Sequence, residues 1–493
     1  MQIAVNRKGL KFHPDASRVI TRFFHINDER AVNLILSILR MTEREATFLL
    51  NQVLRDYSTR HRNISKIFIK HFNKVAHLFI SLNVDPGSVD IPRQILIGSY
   101  FTSEYSIESA AFFNPSIVEH PDQSETGPGE KRVIFSFRAT GEGHISSIVF
   151  RTGILDKTGN FKVEPVGRML EEAEHILDHR YEKKSFKLKL EEMQDFQMAF
   201  PLELILDKLN DHFTYGELQH CITETKKTMA EGLEREIFFN RISWVASSHY
   251  ELDFSLDTNL SERVIFPVSE NEKNGIEDAR FVKFTDESGN TVYYATYTAY
   301  DGITILPKML NTTDFYHFKV NPIHGEIAQN KGMAFFPRKI NGKYAMLCRR
   351  DGFNNYIAFS DNISIWREAK LLQQPVFPWE FIQIGNCGSP IETPEGWLVI
   401  THGVGPMREY VLGASLFDLG NPEHEIGRLK SPLLIPDNKE REGYVPNVVY
   451  SCGSIIHNED LIIPYGISDY ASTYATVNLR ELLNTLKDAG PDS

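Results

Sequence analysis

The chemistry of this chain is concentrated in short polar strings beside apolar runs. Gly275-Ile276-Glu277-Asp278-Ala279-Arg280 sets two adjacent carboxylates and an arginine at the head of a strand-like segment. Cleavage of a glycosidic bond needs a carboxylic acid close to the leaving oxygen. An inverting enzyme pairs that acid with a second group on the opposite sugar face, either a base for water or a site for another nucleophile. Successive strand residues face opposite sides, so Glu277 and Asp278 are expected to do different jobs, one facing a channel and one the wall. Taken alone, such a string is more often a structural ion pair.

A second set is basic. Lys331 lies in NKGMAFFPRKI and Arg349 ends GKYAMLCRR; His402 ends GWLVITHG and Tyr410 opens the next strand. Together they can supply donors to a tetrahedral oxyanion, arginine as a fork and lysine as a point charge. Singly, each reads as an ion-pair partner or a satisfied structural residue. A third set, Asp301, Asp361 and Asp469, sits at strand ends. Such residues cap turns, or accept hydrogen bonds from sugar hydroxyls, with Tyr300 or Tyr465 as a flat wall.

These residues can act together only if the elements bring them together. Val133–Arg138, Val292–Asp301, Lys343–Arg349, Trp397–His402 and Leu461–Asp469 are five apolar, aromatic runs that each end on a polar side chain. From the second onward they recur roughly every 50 to 65 residues, a period that strand-built propeller blades give. The expected fold is mainly β, a five-bladed β-propeller. If each run is the innermost strand of its blade, Arg138, Asp301, Arg349, His402 and Asp469 converge on one funnel.

Two segments break the strand pattern. Residues 1–90 read as a mostly helical N-terminal region, with apolar residues at helical spacing from about 28 to 82 and strand-like text from near Ile95. Residues 91–165 form the first part of the propeller, 166–243 a helical insertion, and 244–493 the remainder with a closing helix. Thr42-x-x-Glu45 and Thr214-x-x-Glu217 are capping boxes. The insertion is expected to pack on one side with the N-terminal helices, as support or subunit contact, which makes a homo-oligomer an open expectation.

The net charge of −12 offers no basic patch for nucleic acid, though it permits a local anion site. Four scattered cysteines without CxxC spacing argue against a disulfide framework or zinc. The N-terminus lacks an apolar leader and no stretch approaches a membrane span, so a cytoplasmic soluble protein is expected. No phosphate loop, dinucleotide fingerprint, serine elbow or HExxH is present. His317, His324 and Glu326 fit no familiar metal-ligand spacing, and no cofactor is expected.

GIEDAR, TAYDG, NKGMAFFPRKINGKYAMLCRRD, WLVITHGV, EREGYVPNVVYSCGSII and YGISD resemble family 130 of the glycoside hydrolases, the mannoside phosphorylases and related β-mannosidases. The resemblance covers roughly 95–160 and 245–485 and implies a five-bladed propeller. By position it implies Asp278 as the catalytic acid, acting through a sugar hydroxyl. It implies Lys331, Arg349, His402 and Tyr410 as phosphate-binding residues. Asn114, Arg138, Ser146, Glu277, Asp301 and Asp469 are then counted with the substrate-binding residues, and inorganic phosphate is a co-substrate. The sequence departs from the family in reading EDAR where EDPR is usual, and in carrying helices that compact members lack. The implied activity is inverting phosphorolysis of a β-mannosyl disaccharide or oligosaccharide to α-mannose 1-phosphate. An inverting hydrolase, with Glu142 or Glu277 as base, and a non-catalytic sugar-binding propeller remain open at this point.

Overall fold

The computed structural model describes residues 3–176, 181–192 and 200–491. The protein is mostly β, with several sheets and a block of N-terminal helices. Five sheets of four to six strands follow one another along the chain. The strands that carry the five sequence repeats are Lys131–Thr140, Thr291–Tyr300, Tyr344–Cys348, Gly396–Val404 and Asp460–Ile467. Each is the second strand of its sheet, not the first. An antiparallel strand precedes it, such as Ala111–Glu119 before Lys131–Thr140 and Gly275–Thr285 before Thr291–Tyr300. The repeat is conspicuous in sequence because these second strands are covered on both faces, and a doubly covered strand reads as an unbroken apolar run.

Each sheet packs on the next through its own apolar cluster. Phe150 and Ile134 of the first meet Phe281 and Ala295 of the second. Val282 and Met309 of the second meet Phe335 and Trp366 of the third. Ala345 and Leu347 then meet Trp397 and Val399, and Leu398 and Leu412 meet Leu461 and Ile463. Ile462 and Tyr474 of the fifth sheet pack with Phe112, Phe135 and Phe137 of the first. The N-terminal strand Val5–Arg7 pairs with Ala471–Asn478 and so completes the fifth sheet.

The helices Asp28–Leu39, Glu43–Tyr57, Ile64–Val75 and Ile91–Tyr100 share one core around Ile35, Phe72 and Leu96. The capping box at Thr42 is formed, its hydroxyl accepting from the Glu45 N–H at 3.3 Å. Strand begins later than the sequence implies. Asp90 accepts from the Arg93 N–H at 2.9 Å and Pro92 sits in the first turn, so SVDIPR starts a helix rather than ending one. The 1–90 region also holds the strand Val19–Phe23, which pairs with Thr102–Ser106.

The 166–243 region is less helical than its charge pattern predicts. Glu171–Glu172 and Glu174–Ile176 extend the first and second sheets, and residues 177–180 and 193–199 lie outside the described residues. Edge pairing overrides local propensity there. The helices Tyr215–Lys227 and Leu233–Ser247 do form, the first on the Thr214 capping box. Their core, around Phe213, Leu218 and Phe239, is separate from that of the N-terminal helices. The closing helix is Leu479–Ala489. Among the described residues no helix is long and apolar enough to cross a membrane.

Candidate active site

The strand Gly275–Thr285 carries a bulge between Glu277 and Arg280, and Asp278 there has φ of 56°. A bulge breaks the alternation of sides. Glu277 and Asp278 therefore do not face opposite ways. Both reach Arg138, at 2.9 Å for Glu277 and 3.6 Å for Asp278. Asp278 also accepts a hydrogen bond from the Asn114 side-chain amide at 2.7 Å. Lys331 pairs with the other oxygen of Glu277 at 2.5 Å. Burial pushes the Asp278 carboxyl up, but Arg138, Arg280 and Lys331 and the Asn114 bond more than offset it and hold it below the usual aspartate range.

The basic set lies alongside. A Cβ on Gly332, next to Lys331, would stand 3.1 Å from the Arg349 side chain. Arg349 reaches the His402 ring at 3.4 Å, and His402 stacks on Tyr410 with ring centroids 6.1 Å apart. Gly385 is needed here, because any Cβ would sit 2.6 Å from the His402 ring and 2.7 Å from Arg349. Arg280 joins the two halves. It acts on both Asp278 and His402, and donates to the Tyr450 hydroxyl at 2.6 Å. Burial, then Arg349 and Arg280, push His402 well below its usual value, so its ring is neutral.

Asp469, at the end of the last repeat, completes the acidic side. Burial first, then the negative charge of Asp278, raise its carboxyl from 3.8 to about 6, against Arg138 and Arg408. Asn114, Asp278, Ser468 and Asp469 all hold positive φ, between 46° and 56°. Non-glycine residues seldom do so, and such strain gathers at functional sites. Ser146 abuts the head of the Asp278 strand: a Cβ on Gly275 would lie 2.5 Å from its hydroxyl, which is buried without a hydrogen-bond partner.

Asp301 makes its hydrogen bonds within its own turn. Its carboxylate accepts from the Ile303 and Thr304 N–H groups at 2.8 and 2.7 Å and from the Thr304 hydroxyl at 2.7 Å. Asp361 is exposed, 3.7 Å from Lys343. Tyr465 is fully buried, its hydroxyl on Glu440 at 2.7 Å, so it offers no wall to a sugar. His317 is held between Asp253 and Glu251. Sequence reasoning gave no role to Arg280, Tyr450, Gln383 or Arg408. Arg280 lies inside the GIEDAR string and Tyr450 inside EREGYVPNVVYSCGSII; Gln383 and Arg408 have no signal beyond their positions near strand ends.

A carboxylate set among cations, on sheets packed face to face, is the kind of site a carbohydrate-active enzyme uses. A family profile described as beta-1,4-mannooligosaccharide phosphorylase, of glycoside hydrolase family 130, matches residues 252–488. A 1,2-beta-oligomannan phosphorylase of Thermoanaerobacter sp. is 36% identical over 231 residues, covering 45% of this chain and 75% of the relative. A beta-1,2-mannobiose phosphorylase of Listeria innocua is 29% identical over 296 residues, covering 58% and 79%. A solved beta-1,2-mannobiose phosphorylase from Listeria innocua aligns at a TM-score of 0.46 and 21% identity over 77% of this chain and 92% of that one. The chain belongs to glycoside hydrolase family 130, and it is an enzyme acting on mannosides.

Proposed function

We propose that the protein is an inverting β-mannoside phosphorylase built on a five-bladed β-propeller. The propeller reading rests on five successive sheets, each packed on the next, with the fifth on the first. In the reaction, phosphate held by Lys331, Arg349, His402 and Tyr410 attacks the anomeric carbon. The bond from that carbon to the leaving oxygen breaks, and Asp278 supplies the proton to the leaving sugar through a sugar hydroxyl. The product is α-mannose 1-phosphate. Asn114, Arg138, Ser146, Glu277 and Asp469 form the wall around the mannosyl unit. Asp301 joins them if a bound sugar draws its carboxylate out of its turn.

The observation that carries this reading is Asp278, half-buried among Arg138, Arg280 and Lys331, with Arg349 against Gly332, the neighbour of Lys331. Those cations keep Asp278 ionised in the resting site, and an ionised carboxylate cannot donate. A phosphate seated on Arg349, Lys331 and Tyr410 cancels part of that positive field. Asp278 then takes up a proton from solvent as the nucleophile arrives, passes it to the leaving sugar, and the phosphate proton is released with the product, so acid and nucleophile are readied by one event.

Hydrolysis would need a free base. Glu277 is clamped by Arg138 at 2.9 Å and Lys331 at 2.5 Å, and Glu142 stands exposed on a hairpin tip. Relatives named for β-1,2-linked mannosides make that linkage the first to offer. The test incubates the enzyme with β-1,2- and β-1,4-mannobiose and longer homologues, with and without phosphate. Phosphate-dependent release of mannose 1-phosphate is expected, abolished in Asp278→Asn with an unchanged circular dichroism spectrum. Mannose released without phosphate would mean a hydrolase. Sugar binding without turnover would mean a non-catalytic propeller.

A further inference from the structure

His402 lies wholly inside the protein, on the strand Gly396–Val404. Its two ring nitrogens meet opposite kinds of partner. Nδ1 is 3.2 Å from the carbonyl oxygen of Asn386, which can only accept. Nε2 is 3.4 Å from Nη1 of Arg349, which can only donate, and 3.4 Å from the side-chain amide nitrogen of Gln383. This pairing sets the hydrogen on Nδ1 and the lone pair on Nε2, where both donors stand at the long limit of a hydrogen bond and a closer donor displaces them. The groups facing the ring from neighbouring strands are Arg349, Arg280, the Cys387 thiol at 3.8 Å from Nδ1, and the rings of Tyr410 and Tyr450. The charged ones, Arg349 and Arg280, are both cations, and each disfavours a second ring proton.

An anion drawn to Arg349 therefore also meets an acceptor. A fully deprotonated oxygen opposite the Nε2 lone pair is repelled, and a P–OH group is bound. We infer that His402 selects oxyanions that carry a proton, accepting the hydrogen of monohydrogen phosphate while Arg349, Lys331 and Tyr410 donate to its bare oxygens. Phosphate and arsenate fit; sulfate, which carries no proton near neutral pH, does not. This rests on the phosphate reading above and adds the form in which the nucleophile binds. Sites built around one hydrogen bond reject the analogue that lacks it far more strongly than apolar pockets do.

The test is calorimetric titration of the whole enzyme with phosphate, arsenate and sulfate at pH 6 to 8, without sugar. Sulfate should bind at least about tenfold more weakly than phosphate at every pH. His402→Gln, whose amide can turn an N–H towards the anion, should narrow that gap by about tenfold. If the variant does not fold, the ¹⁵N shift of Nε2 in the wild-type protein decides: a pyridine-like value across this pH range is expected. Sulfate binding as tightly as phosphate, sulfate binding that tightens from pH 8 to 6, or no anion binding at all overturns the inference. Phosphate-selective binding with phosphate-independent turnover keeps it and removes the phosphorylase reading. Equal binding of both anions with phosphate-dependent turnover does the reverse.

Discussion

Replacing Asp469 by Asn should stabilise the protein, and only above a defined pH. The Asp469 carboxyl is raised from 3.8 to about 6 by burial and by the neighbouring Asp278. An acid with a higher pKa folded than unfolded favours the folded state fully below the unfolded value. That contribution is lost as pH rises through the folded value. The shift of about two units, at about 1.4 kcal/mol each, makes ionised Asp469 a penalty of about 3 kcal/mol above pH 6. Asparagine removes the charge and tolerates the φ of 50° at this position. Asp469→Asn should therefore gain about 2–3 kcal/mol at pH 8 and less than about 1 kcal/mol at pH 4. Urea unfolding followed by tryptophan fluorescence reads the difference, since Trp366 and Trp397 are fully buried between sheets. A gain of the same size at both pH values, or a loss at pH 8, would refute the assignment of the strain to this carboxylate pair. The same variant should lose turnover, so stability and activity part company at one atom.

Arg349→Ala removes a charged donor from the anion site and should raise the phosphate KM about 10- to 100-fold, with the mannoside KM little changed, in initial-rate kinetics. Asp301→Ala should cost about 1 kcal/mol or less in thermal unfolding, for the turn bonds it loses. If Asp301 only holds its turn, the mannoside KM moves less than threefold; a larger rise would restore it to the sugar site. Lys308→Met should destabilise by about 3–5 kcal/mol, because it strands the fully buried Glu272 that Lys308 contacts at 2.7 Å. Adding Glu272→Gln to that variant should recover part of the loss in the same denaturation assay.

The repeats were legible because doubly covered strands write long apolar runs, and the five runs named from sequence are all strands. Their rank within each sheet was not legible. The first strands are short or interrupted, such as Ala334–Phe335 and Val449–Tyr450, and carry little pattern. Arg349 and His402 do meet, at 3.4 Å, and Gly332, next to Lys331, abuts Arg349, since turns and strand ends of neighbouring sheets come together there. Alternation failed at Glu277 and Asp278 because a bulge leaves no periodic trace. Asp301 shows the opposite case: a strand-end aspartate followed by Gly302 reads equally well as a turn cap or a ligand, because the same strand-end pattern serves both. The edge strands at Glu171 and Glu174 were hidden because their pairing partners lie far along the chain.

The pairing of Val19–Phe23 with Thr102–Ser106 has a consequence for how the enzyme is assembled. The four N-terminal helices leave and rejoin the β body through that one ribbon, like a bud on a stem. The root of the stem is fastened by Arg18 and Arg151, which grip the buried Glu108 from two sides at 2.7 Å each. Elsewhere the bud touches the body through ion pairs such as Lys66 with Glu174, whose side chains are largely in water and hold little. Such an outgrowth can be pruned back to a short turn between Phe23 and Thr102, or exchanged for another, while every sheet keeps its register.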